Sequence, residues 1–161
     1  MDKEVYLRET NKNDFALIKK LVDKHWGGEP LIIRGKKYYP SSLDGIIALK
    51  EKEVVGFLVY DIQNEACEIV VFEVFEKYKG IGTLILNKLI ATAKSRNCNK
   101  LCLMTTNDNL DALRFYQRRG FHICGIQINS MVISRKMKPS IPEIGDYGIP
   151  MRDEIDLELF I

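Results

Sequence analysis

The sequence predicts a mixed α/β (α+β) fold, with a central sheet of about six or seven mostly antiparallel strands flanked by three or four helices. Three observations point to it. Two apolar strands and a third, Glu68-Ile69-Val70-Val71-Phe72-Glu73-Val74, follow one another through short polar turns, so antiparallel pairing comes first. A glycine turn, Gly80-Ile81-Gly82, then opens an amphipathic run. Beyond it, helical and strand patterns alternate to the end of the chain. At 161 residues the sequence suits one domain, 1–161, able to bury a core without staples.

The elements follow in order. Val5-Tyr6-Leu7-Arg8 alternates as a strand. Thr10-Asn11-Lys12-Asn13-Asp14 offers cap chemistry for a helix over about residues 12–25, which Gly27-Gly28 and Pro30 stop. Phe15, Ile18, Val22 and His25 share one stripe of that helix, and His25 reads as a packed helix residue. Residues 31–45 are irregular: a short strand over 31–33 and a loop that is either solvated or a wall of an acceptor pocket. Strands over 46–49 and 54–60 join at Glu51-Lys52, and 61–65 turns into the third strand. After Gly82, Ile85, Leu86, Leu89, Ile90 and Ala93 keep helical spacing. A strand over 100–104 follows. Asn109 caps the next helix, Arg118-Arg119-Gly120 ends it, and 121–126 is again a strand. Residues 135–153, rich in Pro and Gly, read as a long loop, and Ile155, Leu157 and Leu159 alternate in a final strand.

Composition excludes several function classes. A net charge of +2 is too small for general polyanion binding, so no nucleic-acid partner is expected, despite Arg34-Gly35-Lys36-Lys37. No apolar run reaches membrane-spanning length and the start lacks a signal peptide's apolar segment, so the expectation is a cytoplasmic protein with no membrane partner. Cys67, Cys98, Cys102 and Cys124 show no metal-ligand spacing, and His25 and His122 add none; no metal is expected, and the thiols read as free and reduced.

The glycine turn carries the chemistry. A strand, a turn and a helix start aim several backbone N–H groups and the positive end of a helix dipole at one spot, which suits a phosphate. Gly80 and Gly82 remove Cβ atoms where a ligand approaches the backbone. The pattern fails the dinucleotide fingerprint, since Ile85 stands where a third glycine belongs, and it lacks the lysine of a P-loop. Alone, it is equally a plain strand-to-helix turn.

Two motifs decide between these. Lys77-Tyr78-Lys79-Gly80-Ile81-Gly82 resembles the acyl-CoA-binding motif Gln/Arg-x-x-Gly-x-Gly/Ala of the GNAT superfamily of N-acetyltransferases. Asn109-Leu110-Asp111-Ala112-Leu113-Arg114-Phe115-Tyr116-Gln117-Arg118-Arg119-Gly120-Phe121 resembles that family's Asn-x-x-Ala-x-x-Phe-Tyr-x-x-x-Gly-Phe. The resemblance covers roughly residues 46–128, and the Pro/Gly-rich tail looks like that of a subset of bacterial members. Lys77 departs from the usual Gln or Arg, which removes a bidentate side-chain contact but leaves the backbone donors.

The resemblance implies a GNAT fold with a splay between two central parallel strands, and direct transfer of an acetyl group from acetyl-CoA, as cosubstrate, to a primary amine. It implies cofactor contacts at Phe72, Val74, Lys77, Tyr78, Lys79, Gly80, Ile81, Gly82, Thr83, Asn109, Ala112, Phe115 and Tyr116. Main-chain N–H groups near Phe72 and Val74 would polarise the thioester, and Arg114, Arg118 and Lys79 are candidates for the adenosine phosphates, the two arginines reading equally as a solvated helix face. Tyr116 matches the tyrosine that protonates the departing thiolate; packing with its neighbours is its bland role. Glu68 is the candidate base, acting through water, or else a solvated strand start. Strict alternation puts Glu68, Val70 and Phe72 on one strand face and Glu73 on the other. The expected acceptor is a small-molecule or peptide amine, most simply a small amine or amino acid, and the expected state a monomer or homodimer. A non-catalytic acyl-CoA-binding regulatory module is the alternative.

Overall fold

A computed structural model describes residues 4–161. Seven strands form one sheet in the order β1-β4-β5-β6-β7-β9-β8. These are β1 (Tyr6–Glu9), β4 (Asp44–Lys50), β5 (Glu53–Gln63), β6 (Ala66–Val74), β7 (Lys100–Thr106), β8 (His122–Gln127) and β9 (Glu154–Phe160). A separate two-stranded hairpin is made of β2 (Leu31–Ile33) and β3 (Lys36–Tyr38). Helices α1 (Phe15–Trp26), α2 (Ile81–Ser95), α3 (Leu110–Gln117) and α4 (Met131–Met137) cover the two faces. The predicted mixed, mostly antiparallel sheet with flanking helices is the observed architecture.

Alternation builds a core on each face of the sheet. Ile46, Leu58, Cys67, Ile69, Leu101 and Leu103 pack beneath α2, whose Ile85 and Leu89 are fully buried. Each such side chain contributes about 1.5–3 kcal/mol of transfer free energy. On the opposite face Ile47, Phe57, Val59, Val70 and Val71 meet α1 and β2 through Ile18, Val22 and Leu31. The helix start is a capping box one turn earlier than α1: Asn11 Oδ1 accepts from Asn13 N at 2.9 Å, and Asp14 Oδ2 accepts from Asn11 N at 2.8 Å. Asp14 also holds Arg8 through two 2.8 Å bonds.

β6 and β7 are the parallel pair, in register from Ala66↔Lys100 to Ile69↔Leu103 and no further. Both strands run on, β6 to Val74 and β7 to Thr106, so they part at that point and leave a splay. β9 inserts antiparallel between β7 and β8.

Two expectations are corrected. Residues 34–42 are no irregular loop: Lys36–Tyr38 pairs back on Leu31–Ile33 across a tight turn at Arg34 and Gly35, both at positive φ. Residues 135–153 do not begin as loop, because α4 runs through Met137; its short apolar pattern, with only Met131 and Ser134 buried, is too brief to show a period. The rest of that segment is irregular, pinned by an Ile144↔Pro150 bridge and by Arg135 donating to the carbonyls of Pro142 and Met151.

Candidate active site

The two glycines of the turn before α2 have different surroundings. Gly80 caps α2 at φ 77°, and a Cβ there would meet nothing within 4 Å, so the backbone is open to the cleft. The first intrahelical bond is Leu84 N to Gly80 O, which leaves the N–H groups at the head of α2 without a helical acceptor. Gly82 is different: a Cβ there would lie 2.9 Å from Phe115 Cε2. The second glycine therefore lets α2 approach α3, a steric role beside its expected ligand contact.

A cleft of about 620 Å³ opens at this helix end. Every residue expected to contact the cofactor lines it except Lys79, whose ammonium pairs with Glu76 at 3.3 Å. Tyr78, at φ 64° and 88% exposed, stands at the rim. Arg114 and Arg118 reach the wall as expected. Arg119, read from sequence only as a helix stop, does more: its guanidinium donates to Thr83 Oγ1 at 2.7 Å and lies 3.6 Å over the Phe115 ring. It ties the start of α2 to the end of α3. Asn109 caps α3, its Oδ1 accepting from Ala112 N at 3.1 Å.

Tyr116 is buried among Phe72, Phe115 and Phe121, with ring centroids 6.2, 5.2 and 5.1 Å away. That apolar cage pushes the phenol well above its ordinary value, so the hydroxyl stays protonated throughout the physiological range. Tyr116 also lines a second cavity, of about 420 Å³, on the other side of the splay. Ile69 and Val70 of β6 and residues 103–106 of β7 floor this cavity, and β2, α4 and the segment after it wall it. The two cavities share His25, Trp26, Phe72, Thr106, Asn109, Ala112, Tyr116 and Met151. They meet where β6 and β7 part.

A bulge in β6 rearranges its side chains. Val59 pairs with Val71 and Tyr60 with Ile69, so Val70 has no partner across β5. Cys67 and Ile69 face α2, Val70 and Val71 both face the α1 side, and Phe72 and Val74 face α2 again. The expected alternation fails at this point: Phe72 does not share a face with Glu68, and Glu73 does. Beyond the bulge Phe75 N donates to Val55 O at 2.9 Å. Strand alternation then turns the N–H groups of Phe72 and Val74 away from β5, toward the gap left by β7.

The two carboxylates on that face have different surroundings. Glu68 accepts from Arg34 Nη1 at 2.8 Å and from the Cys102 thiol at 2.7 Å, and it lines neither cavity. Arg34 also binds Asp156 Oδ1 at 2.6 Å through its side chain and Glu154 Oε2 at 2.9 Å through its backbone N–H, pinning the β2–β3 hairpin to the sheet. Glu73 lines the cleft. Burial raises its carboxyl above the ordinary value, opposed by the charges of His25 and Lys77 and by the nearby Trp26 indole, whose buried N–H has no partner at hydrogen-bond geometry. His25 packs against Phe75 with centroids 4.8 Å apart and the rings tilted by 39°, yet it also borders both cavities. Sequence reading set Glu73 aside because nothing in it marks a bulge, and it left Trp26 and Met151 unmentioned because only the folded chain brings them here.

Among the described residues no group of three His, Cys, Asp or Glu side chains is placed to hold a metal ion, and no helix is long and apolar enough to cross a membrane. The open backbone at Gly80, the unpaired N–H groups of α2 and the flanking cations fit a diphosphate-bearing cosubstrate.

Known proteins bear on this arrangement. The chain is 39% identical over 140 residues to YxbD of Bacillus subtilis (strain 168), an uncharacterized protein, covering 86% of this chain and 88% of that one. Its fold superposes on the IAA acetyltransferase of Bacillus cereus ATCC 14579 with a TM-score of 0.76 at 24% identity, over 98% of this chain and 100% of that one. A GNAT family acetyltransferase of Elizabethkingia anophelis, solved with acetyl-CoA bound, gives 0.70 at 25% identity over the whole of both chains. The sequence profile of the acetyltransferase (GNAT) family matches residues 15–121, a span that contains α1, the splayed strands, the glycine turn and α3, and the chain is therefore a member of the GNAT family of acetyltransferases.

Proposed function

We propose that the protein moves an acetyl group from acetyl-CoA to a primary amine by direct attack of the amine on the thioester. One observation carries the reading: the cleft at the head of α2 and the cavity across the splay meet at Tyr116. Acetyl-CoA enters from the α2 side with its diphosphate at the backbone of Gly80 and Ile81, and the amine enters from the other. The N–H groups of Phe72 and Val74 polarise the thioester carbonyl, where negative charge develops. Tyr116, held protonated by its cage, gives its proton to the departing thiolate.

An alkyl amine with a pKa near ~10 is mostly protonated at neutral pH, so a base must free its lone pair. The resemblance points to Glu68, but that carboxylate is occupied by Arg34 and Cys102. Glu73 suits the task better, because it lines the cleft and its raised carboxyl is closer to neutrality than an ordinary one. In this reading Glu73 takes the amine proton and Glu68 holds the hairpin that walls the acceptor cavity.

The test is release of free CoA thiol from acetyl-CoA across a panel of amines, with the acetylated product identified by mass. Thiol release that needs an amine is the expected result. Tight CoA binding with no release from any amine would identify a non-catalytic CoA-binding module instead.

A further inference from the structure

The cavity across the splay has a composition that selects its occupant. Among the described residues that line it there is no aspartate or glutamate. Its walls are apolar: Leu31 and Ile33 from β2, Leu103 from β7, Met131 from α4, with Ile141 and Met151 from the segment that follows. The one fixed charge on the wall is positive. Lys138 donates to the carbonyls of Trp26 and Gly28 at 3.2 and 2.5 Å, which holds its ammonium in place beside the cavity. Burial lowers its pKa, and the two carbonyls accept its N–H bonds at this position. His25, the other titratable group on the wall besides Tyr116, adds positive charge or none.

We infer that the acceptor is an apolar monoamine, a branched-aliphatic or aromatic body carrying one primary amine and no second cation; this rests on reading the site as an acetyltransferase. A polyamine or a lysine-rich peptide brings a second ammonium into a wall that offers no carboxylate, so that charge loses its water without gaining a partner. It also meets Lys138 as a like charge. An apolar body replaces water along β2 and α4, which is the favourable exchange. The volume, about 420 Å³, lies in the range of small-molecule pockets. The reacting amine itself needs only the junction with the cleft at Tyr116, and Glu73 lies on the cleft side of that junction.

The experiment compares kcat/KM for phenethylamine and isoamylamine with that for putrescine and spermidine, using thiol release from acetyl-CoA. The apolar monoamines are expected to be better by at least tenfold. A second arm uses Ser140→Asp, which places a carboxylate on the same wall at an exposed position outside the core. It is expected to raise kcat/KM for the diamine several-fold through KM and so to narrow the gap between monoamine and diamine. Preferred turnover of polyamines by the unaltered protein leaves the enzyme standing and overturns the acceptor class alone. An unchanged diamine-to-monoamine ratio in Ser140→Asp also overturns it. No thiol release with any amine overturns the acetyltransferase reading, and the acceptor class with it.

Discussion

Glu68 and Glu73 face the same side of β6 although they stand an odd five positions apart, because Val70 bulges out of register with β5. The bulge sets one carboxylate under Arg34 and brings the other to the cleft. This gives the two residues separable predictions. Glu73→Gln is expected to lower kcat by about 10²-fold at neutral pH, the scale of a lost general base, with little change in CoA affinity. Its effect on stability has the opposite sign. A carboxyl whose folded pKa is raised costs the native state stability once pH exceeds the unfolded value, so Glu73→Gln should raise the thermal midpoint at pH 7 and leave it unchanged near pH 3. Calorimetry at the two pH values, together with initial rates, checks both. An unaltered rate would remove Glu73 from the chemistry.

Glu68→Gln should act through the hairpin instead. It leaves Arg34 with Asp156 and Glu154 but takes away its bond to β6. The expected change is a several-fold rise in acceptor KM with kcat held within about twofold. Loss of kcat on the scale predicted for Glu73→Gln would return the base role to Glu68.

Tyr116→Phe keeps the aromatic cage and deletes one hydroxyl. CoA affinity measured by calorimetry is expected to stay within about twofold, while kcat falls by about 10²-fold. The alkaline side of the pH–rate profile adds a check. Because burial raises the phenol, its deprotonation should not limit the rate below about pH 10. A rate that drops with an apparent pKa near 8 would assign that limb to another group.

The two glycines should respond differently to alanine. Gly80→Ala puts a Cβ on a residue at φ 77°, at a cost of about 1–2 kcal/mol, and weakens CoA binding because the added methyl stands in the cleft. Gly82→Ala drives a Cβ into Phe115 and should cost about 1–3 kcal/mol of overpacking. Adding Phe115→Leu is expected to recover stability in Gly82→Ala and to do nothing for Gly80→Ala. Denaturant titration of the four variants reads this directly.

Asp14 carries two jobs, the capping box and the Arg8 pair, from a nearly buried position. Asp14→Ala should cost about 2 kcal/mol, within the range for a lost cap. Arg8 holds the Asp14 carboxyl below its ordinary value. Its stabilisation is therefore present above the unfolded carboxylate pKa and disappears as pH falls through the lower folded one. The difference in midpoint between the parent and Asp14→Ala should accordingly shrink below about pH 4.

By itself the sequence determined what depends on short-range order. Helix and strand periodicity fixed the order of elements from β4 to α3, and the two motifs located the glycine turn and Tyr116. These are local properties: side-chain spacing, backbone preference at glycine, cap chemistry at Asn109. Only the tertiary structure decided which side chains share a site. A one-residue bulge at Val70 reversed the faces of β6 and exchanged the surroundings of Glu68 and Glu73, and no residue type announces a bulge. The approach of α3 to α2 gave Gly82 a packing role against Phe115 that the motif does not reveal, because that contact spans thirty-odd residues of chain and exists only once both helices pack on the sheet. The lack of a carboxylate among the described residues that line the second cavity has the same origin, since β2, β7, α4 and the segment after it supply that wall from distant parts of the chain.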